Sequence, residues 1–128
     1  MKRSVYHLLS KIKNAQLVKK SSLVVENDKI SFSLLNILWD ESYILGFKYT
    51  EPSKKHIEIL LKYVGKTPAI SIIKFISKPG RRIYLSSKHL WYVKNEFGLI
   101  ILSTNRGFLS IENSRRLNIG GELLFVIK

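Results

Sequence analysis

The apolar residues of this chain come in short clusters whose period keeps changing, and nothing else restricts the fold so much. Val5, Leu8, Leu9 and Ile12 repeat at i, i+3, i+4 and i+7, which is a helical stripe. Ser4 is its expected N-cap, with Lys11 and Lys13 in the last turn, where cations suit the helix dipole. Leu23-Val24-Val25, bounded by Ser21-Ser22 and Asn27-Asp28, predicts a strand and a turn. Phe32, Leu35, Leu38 and Trp39 return to helical spacing. Residues 43–49 and 57–63 then predict a hairpin around the polar turn Glu51-Pro52-Ser53-Lys54-Lys55. Gly65-Lys66-Thr67-Pro68 is the best linker candidate, dividing the chain into 1–66 and 67–128.

The second half is as irregular. Residues 70–76 and 81–85 predict strands around a turn at 77–80, and residues 87–96 predict a loop or one helical turn. Leu99 to Leu102 is a fully apolar strand, and 103–107 a loop. A short helix over 110–118 is capped by Ser110 and can end at Gly120. The all-apolar stretch Leu123 to Ile127 predicts a central closing strand. Helices and strands mix in both halves without βαβ alternation, so the expected class is α+β rather than a doubly wound sheet. With 45% apolar residues in 128, the chain can bury a core. No apolar run approaches the roughly 18 residues that cross a bilayer.

Charge is the first functional signal. Lysine and arginine number 22 against 9 acids, a net charge of +13. Such an excess in a small chain points to a polyanion, most often nucleic acid. Six cations precede the first acid, Glu26, and a second acid-free stretch runs from Lys62 to Lys94. Two separated basic zones suggest an extended footprint rather than one anion pocket.

Chemistry on covalent or metal centres has little to draw on. There is no cysteine, so disulfides, thiolate metal sites and cysteine nucleophiles are excluded. With only three scattered histidines, no structural zinc site is expected. Ser103, Thr104 and Ser110 are possible nucleophiles and His7, His56 and His89 possible bases, but no spacing ties them together. No nucleophile elbow or phosphate-cradling glycine motif is present. Asp40-Glu41, adjacent on a helix, diverge and read as a solvated C-terminal turn. No enzyme, cofactor, membrane or small-molecule substrate is therefore expected. A small hydrolase would need a Ser–His pair in contact.

Nucleic-acid binding has more support. In KPGRRIYLSS, Lys78, Arg81 and Arg82 can neutralise phosphates, and Tyr84, two residues beyond Arg82 on an alternating strand, shares its face and can stack on an unpaired base. STNRG, Ser103 to Gly107, follows an apolar strand directly. Its small polar side chains can bond phosphates, ribose hydroxyls and base edges, and Gly107 allows a sharp turn. Glu122 is a carboxylate inside a basic zone. It serves there either to accept from base amino groups or ribose hydroxyls or to orient a loop. Gly120-Gly121 can let an RNA backbone come close, or can simply stop a helix.

At these segments the sequence resembles the bacterial-type ribosomal protein S-eight family of the small subunit. LLSKIKNA, Leu8 to Ala15, is similar to that family's LTRIRNA. KPGRRIY, Lys78 to Tyr84, resembles RPGLRIY. STNRGFLS followed by NIGGELLFVI resembles the STSKGxMT and GLGGEILxxV of the family's C-terminus. The resemblance covers essentially the whole chain and is most specific at its end. It implies two small α+β subdomains packed together, with mixed or antiparallel sheets and helices outside. It implies no catalysis. The implied partners are the central domain of small-subunit rRNA, bound at an irregular helix early in assembly, and neighbouring small-subunit proteins. By position, Ser103, Thr104, Asn105, Gly107, Gly121 and Glu122 fall on the C-terminal rRNA site, Tyr84 on the aromatic beside it, and Ser10, Lys11 and Lys13 on a contact of the first helix. The pattern departs at His7 (usually Asp), at Asn105 (usually Ser), at Asn118 and Ser42 (usually Gly) and at Arg81 (usually apolar). The competing reading is a non-ribosomal basic nucleic-acid-binding module.

The basic start can be mistaken for a presequence, but it flows into structured-looking sequence and is read as part of the mature fold. Lysine outnumbers arginine and isoleucine and asparagine are frequent, which fits an A/T-rich genome. An organellar ribosome, mitochondrial before plastid, is the preferred compartment, and a bacterial cytoplasm the alternative.

Overall fold

In a computed structural model, which describes residues 3–77, 80–93 and 98–128, the first apolar stripe folds as α1 (Arg3–Leu17). It buries Val5, Leu8, Leu9, Ile12 and Ala15. The helix outruns the predicted span. It starts ahead of Ser4, so Ser4 is not the N-cap, and its last turn carries no basic residue, so Lys11 and Lys13 lie inside it. Ala15 extends the stripe by one more turn, which is why the helix continues. It ends where Lys19 turns left-handed (φ 58) and Lys20 N–H donates to Ala15 O at 3.0 Å.

After β1 (Ser22–Glu26) comes α2 (Lys29–Asp40). Asp28 caps it, its Oδ1 accepting from Ser31 N–H at 2.7 Å. Ser42 closes it at φ 64, with Tyr43 N–H donating to Leu38 O at 2.8 Å. The left-handed conformation that glycine adopts freely costs this serine about 1–2 kcal/mol. The buried face is Ser31, Leu34, Leu35 and Leu38. Phe32 and Trp39 do not join it as their spacing suggested. They are exposed and lay their rings on Phe47 of the neighbouring strand.

The hairpin forms as expected from β2 (Ile44–Tyr49) and β3 (His56–Leu61). The sheet order is β1-β3-β2, antiparallel throughout. Ile57, Ile59 and Leu61 alternate inward from its central strand. Gly65-Lys66 is no linker: β4 (Tyr63–Val64) and β5 (Thr67–Pro68) pair with each other around it, and Gly65 takes φ 65. The chain divides into two compact units later, between Ile70 and Ser71.

The C-terminal unit contains β6 (Ile73–Phe75), β7 (Tyr84–Leu85), a 3-10 turn (His89–Tyr92), β8 (Leu99–Thr104), β9 (Gly107–Ser110), α3 (Ile111–Leu117) and β10 (Gly121–Ile127). β10 is central, as its unbroken apolar run predicts. It has β8 on one side and both β6 and β7 on the other, and β9 lies beyond β8. The two strands expected over 70–76 and 81–85 shrink because they are the two ends of one edge along β10. Phe75 sits opposite Phe125, and Tyr84 opposite Glu122. Fully buried Ser77 ties these two ends together: its hydroxyl donates to Leu123 O and accepts from Ile83 N–H at 2.9 Å.

One face of this sheet packs on α3 and the 3-10 turn through Leu90, Ile100, Leu102, Ile111 and Leu123. Ser110 caps α3, accepting from Asn113 N–H at 3.3 Å. The helix ends at left-handed Asn118 (φ 57), ahead of Gly120. Arg115 ties the 3-10 turn to α3, its Nε donating to Leu90 O at 2.8 Å and its guanidinium also to Val93 O.

Candidate nucleic-acid interface

Strand register assembles the site. Tyr84 of β7 pairs with Glu122 of β10, Glu122 with Ser103 of β8, and Ser103 with Phe108 of β9. Residues paired across adjacent strands share a face, and each of the first three is the chain neighbour of a residue packed on the α3 side. The row Tyr84–Glu122–Ser103–Phe108 therefore runs across four strands on the face opposite the α3 cluster. Tyr84 is 63% exposed, Ser103 and Phe108 are half-buried, and Glu122 is recessed at 7%.

The expected loop 103–107 is a tight hairpin instead. Ser103 and Thr104 finish β8, Asn105 and Arg106 form the turn, and Gly107 opens β9. Neither turn residue has positive φ, and Gly107 at φ 95 restores the strand direction. The two hydroxyls have different duties. Thr104 Oγ1 donates to Gly107 O at 2.8 Å and accepts from Arg106 N–H at 3.1 Å, so it holds the turn. The Ser103 hydroxyl and the Asn105 amide make no hydrogen bond among the described residues.

Gly120 and Gly121 have a role that the local sequence does not show. A Cβ on Gly121 would collide with the Ser103 carbonyl and meet Thr104 Cγ2 at 3.0 Å, and one on Gly120 would collide with the backbone of Leu85 and Ser86. The missing side chains make room for the protein's own strands. Gly121 thus shapes the row from beneath.

Arg81 and Arg82 are exposed just before β7, and Arg106 is exposed at the hairpin tip. None of the three has an ion pair among the described residues. Arg82, Tyr84 and Ser86 are exposed while Ile83 and Leu85 are half-buried, so the alternation that put Arg82 and Tyr84 on one face holds. Arg106 and Phe108 were missed. Arg106 lies inside STNRG, which was read for its hydroxyls and amide, and Phe108 emerges only from the register of β9. Lys78 lies outside the described residues. In the other unit Ser10 and Lys11 are exposed on α1 and Lys13 is half-buried. Lys11 lines an open cleft with Glu26 and Asp28, whose carboxylates offset its field.

A Ser–His contact exists, but not among the nucleophiles considered. Ser86 Oγ lies 2.7 Å from His89 Nδ1. Both are exposed, and the Ser86 carbonyl accepts the N–H groups of His89 and Leu90. No carboxylate orients His89 among the described residues, so the pair lacks the third group of a catalytic triad. Thr104 and Ser110 are engaged in turn and cap. Among the described residues no group of three or more metal-ligating side chains exists, and no helix is long and apolar enough to cross a membrane.

These features define a class: a small basic α+β protein with a polar, arginine-framed sheet face, the kind of surface that fits a structured polyanion. The sequence matches the ribosomal protein S8 family over residues 4–127. The small ribosomal subunit protein uS8 of Bradyrhizobium sp. is 42% identical over 122 residues, which cover 94% of this chain and 92% of that protein. Proteins of the same name from Afipia carboxidovorans and Cereibacter sphaeroides are each 40% identical over the same shares. The chain belongs to the ribosomal protein S8 family, a family of structural proteins of the small ribosomal subunit.

Proposed function

We propose that this chain is a structural constituent of the small ribosomal subunit. It seats its hairpin tip and the row Tyr84–Glu122–Ser103 against an irregular, partly unpaired helix in the central domain of the rRNA, and so supports assembly. The observation that carries this reading is the set of unengaged groups around the row and at the hairpin tip. The Ser103 hydroxyl and Asn105 amide lack internal partners, Tyr84 is exposed beside them, and Arg81, Arg82 and Arg106 lack ion pairs among the described residues. Hydrogen-bonding groups that the fold leaves to water, flanked by uncompensated positive charge, suit a partner that supplies acceptors, bases and phosphates. Recessed Glu122 then accepts from base amino groups or ribose hydroxyls that reach into the row.

The division of labour follows from the chemistry. Arginines neutralise phosphates and release counterions, and the row reads shape. Nothing in this scheme needs a cofactor, a small-molecule substrate or a chemical step. Neighbouring small-subunit proteins complete the list of partners. The named relatives are bacterial, which supports a bacterial cytoplasm and lends nothing to the mitochondrial preference drawn from amino-acid composition. The family match leaves the non-ribosomal module without support.

Titration of the protein against a central-domain rRNA helix at several salt concentrations tests the electrostatic half. Arg82→Ala is expected to weaken binding to specific and unrelated RNA alike, and to lower the slope of log affinity against log salt by about 0.7–0.9. An unchanged slope would mean that Arg82 meets no phosphate.

A further inference from the structure

The N-terminal unit carries a row of aromatic rings that its core does not use. Trp39 and Phe32, on one stripe of α2, both lie edge-on to Phe47 of β2, with centroids 6.2 and 5.5 Å away. Phe32 also stacks on Tyr49 at 6.4 Å, and Lys54 Nζ sits 5.3 Å above the Tyr49 ring. One end of the row thus already holds a cation. At the other end Trp39 is 54% exposed and has no cation of its own among the described residues.

The charge at that end is opposite to that of the molecule. Asp40 and Glu41 follow Trp39, both exposed and both without an ion pair among the described residues. They stand at the C-terminus of α2, where the helix dipole is negative and no basic residue lies in the last turn. Acids in that position are unfavourable for the helix itself. One cation does reach this end: Lys62 Nζ donates to Ser42 O at 3.1 Å. An open indole face, two carboxylates and a helix C-terminus all attract cations, and all repel phosphate.

We propose that this aromatic row is a docking surface for a lysine- or arginine-bearing segment of a partner protein, one cationic side chain lying on Trp39 while the field of the Asp40 and Glu41 carboxylates attracts the rest of the segment. The proposal rests on the ribosomal reading in that the partner is sought within the small subunit. It uses residues of the N-terminal unit, whereas the RNA-binding row belongs to the C-terminal unit, in a protein whose net charge of +13 would otherwise repel a basic neighbour. Charge contrast argues for protein here: an RNA would meet two uncompensated acids.

The test replaces Trp39 with the photoreactive residue p-benzoylphenylalanine, which keeps an aromatic ring at an exposed position. Small subunits assembled with this variant are irradiated and the adducts mapped by mass spectrometry. The expected result is an adduct on a protein segment of net positive charge, with a yield that falls at least about tenfold when Asp40→Lys and Glu41→Lys are added. Binding of the same variants to a central-domain rRNA helix should be unchanged, which also shows that they fold. An adduct on rRNA or on a neutral or acidic segment, the absence of any adduct, or a yield indifferent to the charge reversal would overturn the proposal and leave the rRNA reading standing. Failure of the unmodified chain to enter small subunits would overturn both.

Discussion

Alanine at Gly121 is expected to lower the unfolding free energy by about 1–3 kcal/mol, the range of an overpacked core position, and to disable the proposed RNA-binding row with it. The obstacle is backbone. The new methyl would collide with the Ser103 carbonyl, which cannot swing aside as a flexible side chain can. Strand β8 must therefore back away from β10 where Glu122 and Ser103 pair. Gly107→Ala is the matched control. Open space surrounds that position, and its cost is confined to the left-handed backbone at φ 95, about 1–2 kcal/mol. Urea denaturation of the two variants, followed by rRNA titration, should show Gly121→Ala as the more damaging in binding. An unaltered transition in Gly121→Ala would mean that β8 and β10 are not in this contact.

The second large effect separates two adjacent hydroxyls. Ser103→Ala removes a group with no internal bond, so stability should stay within about 0.5 kcal/mol of the parent. Affinity for the specific rRNA helix should fall by about 1–3 kcal/mol, or roughly 5- to 150-fold, because the proposed interface uses this hydroxyl. Thr104→Ala removes both bonds that hold the turn, so stability and affinity should fall together, with about 1 kcal/mol of the loss appearing in unfolding. Equal stability losses in the two variants, with specific binding intact in Ser103→Ala, would remove Ser103 from the interface.

Much of this architecture was legible in the residues. The stripe of α1, the β2–β3 hairpin and the central place of β10 followed from apolar periodicity, because burial enforces one face on a helix and both faces on a central strand. Left-handed helix ends at Ser42 and Asn118 were legible as substitutions for glycine. Three features were not. Phe32 and Trp39 have core spacing yet pack on Phe47, since an apolar stripe does not say whether it meets the core or a neighbouring ring. Gly65-Lys66 has linker composition yet sits in a two-strand hairpin, because the same flexible residues serve both. Gly121 was read toward a ligand and serves β8, since close approach of backbones depends on a register that local pattern does not contain. Of the site, residue types at 82, 84, 103 and 105 announced polar and stacking capacity. The row that joins Tyr84, Glu122 and Ser103 exists only once three distant segments pair.

The most direct measurement is a photo-cross-link from the hairpin tip. With p-benzoylphenylalanine at Asn105, exposed in the turn between β8 and β9, intact small subunits are irradiated and the adducts sequenced. Adducts on unpaired nucleotides of a central-domain rRNA helix are expected. Adducts confined to protein, or to rRNA outside the central domain, would contradict the placement of this face against that RNA.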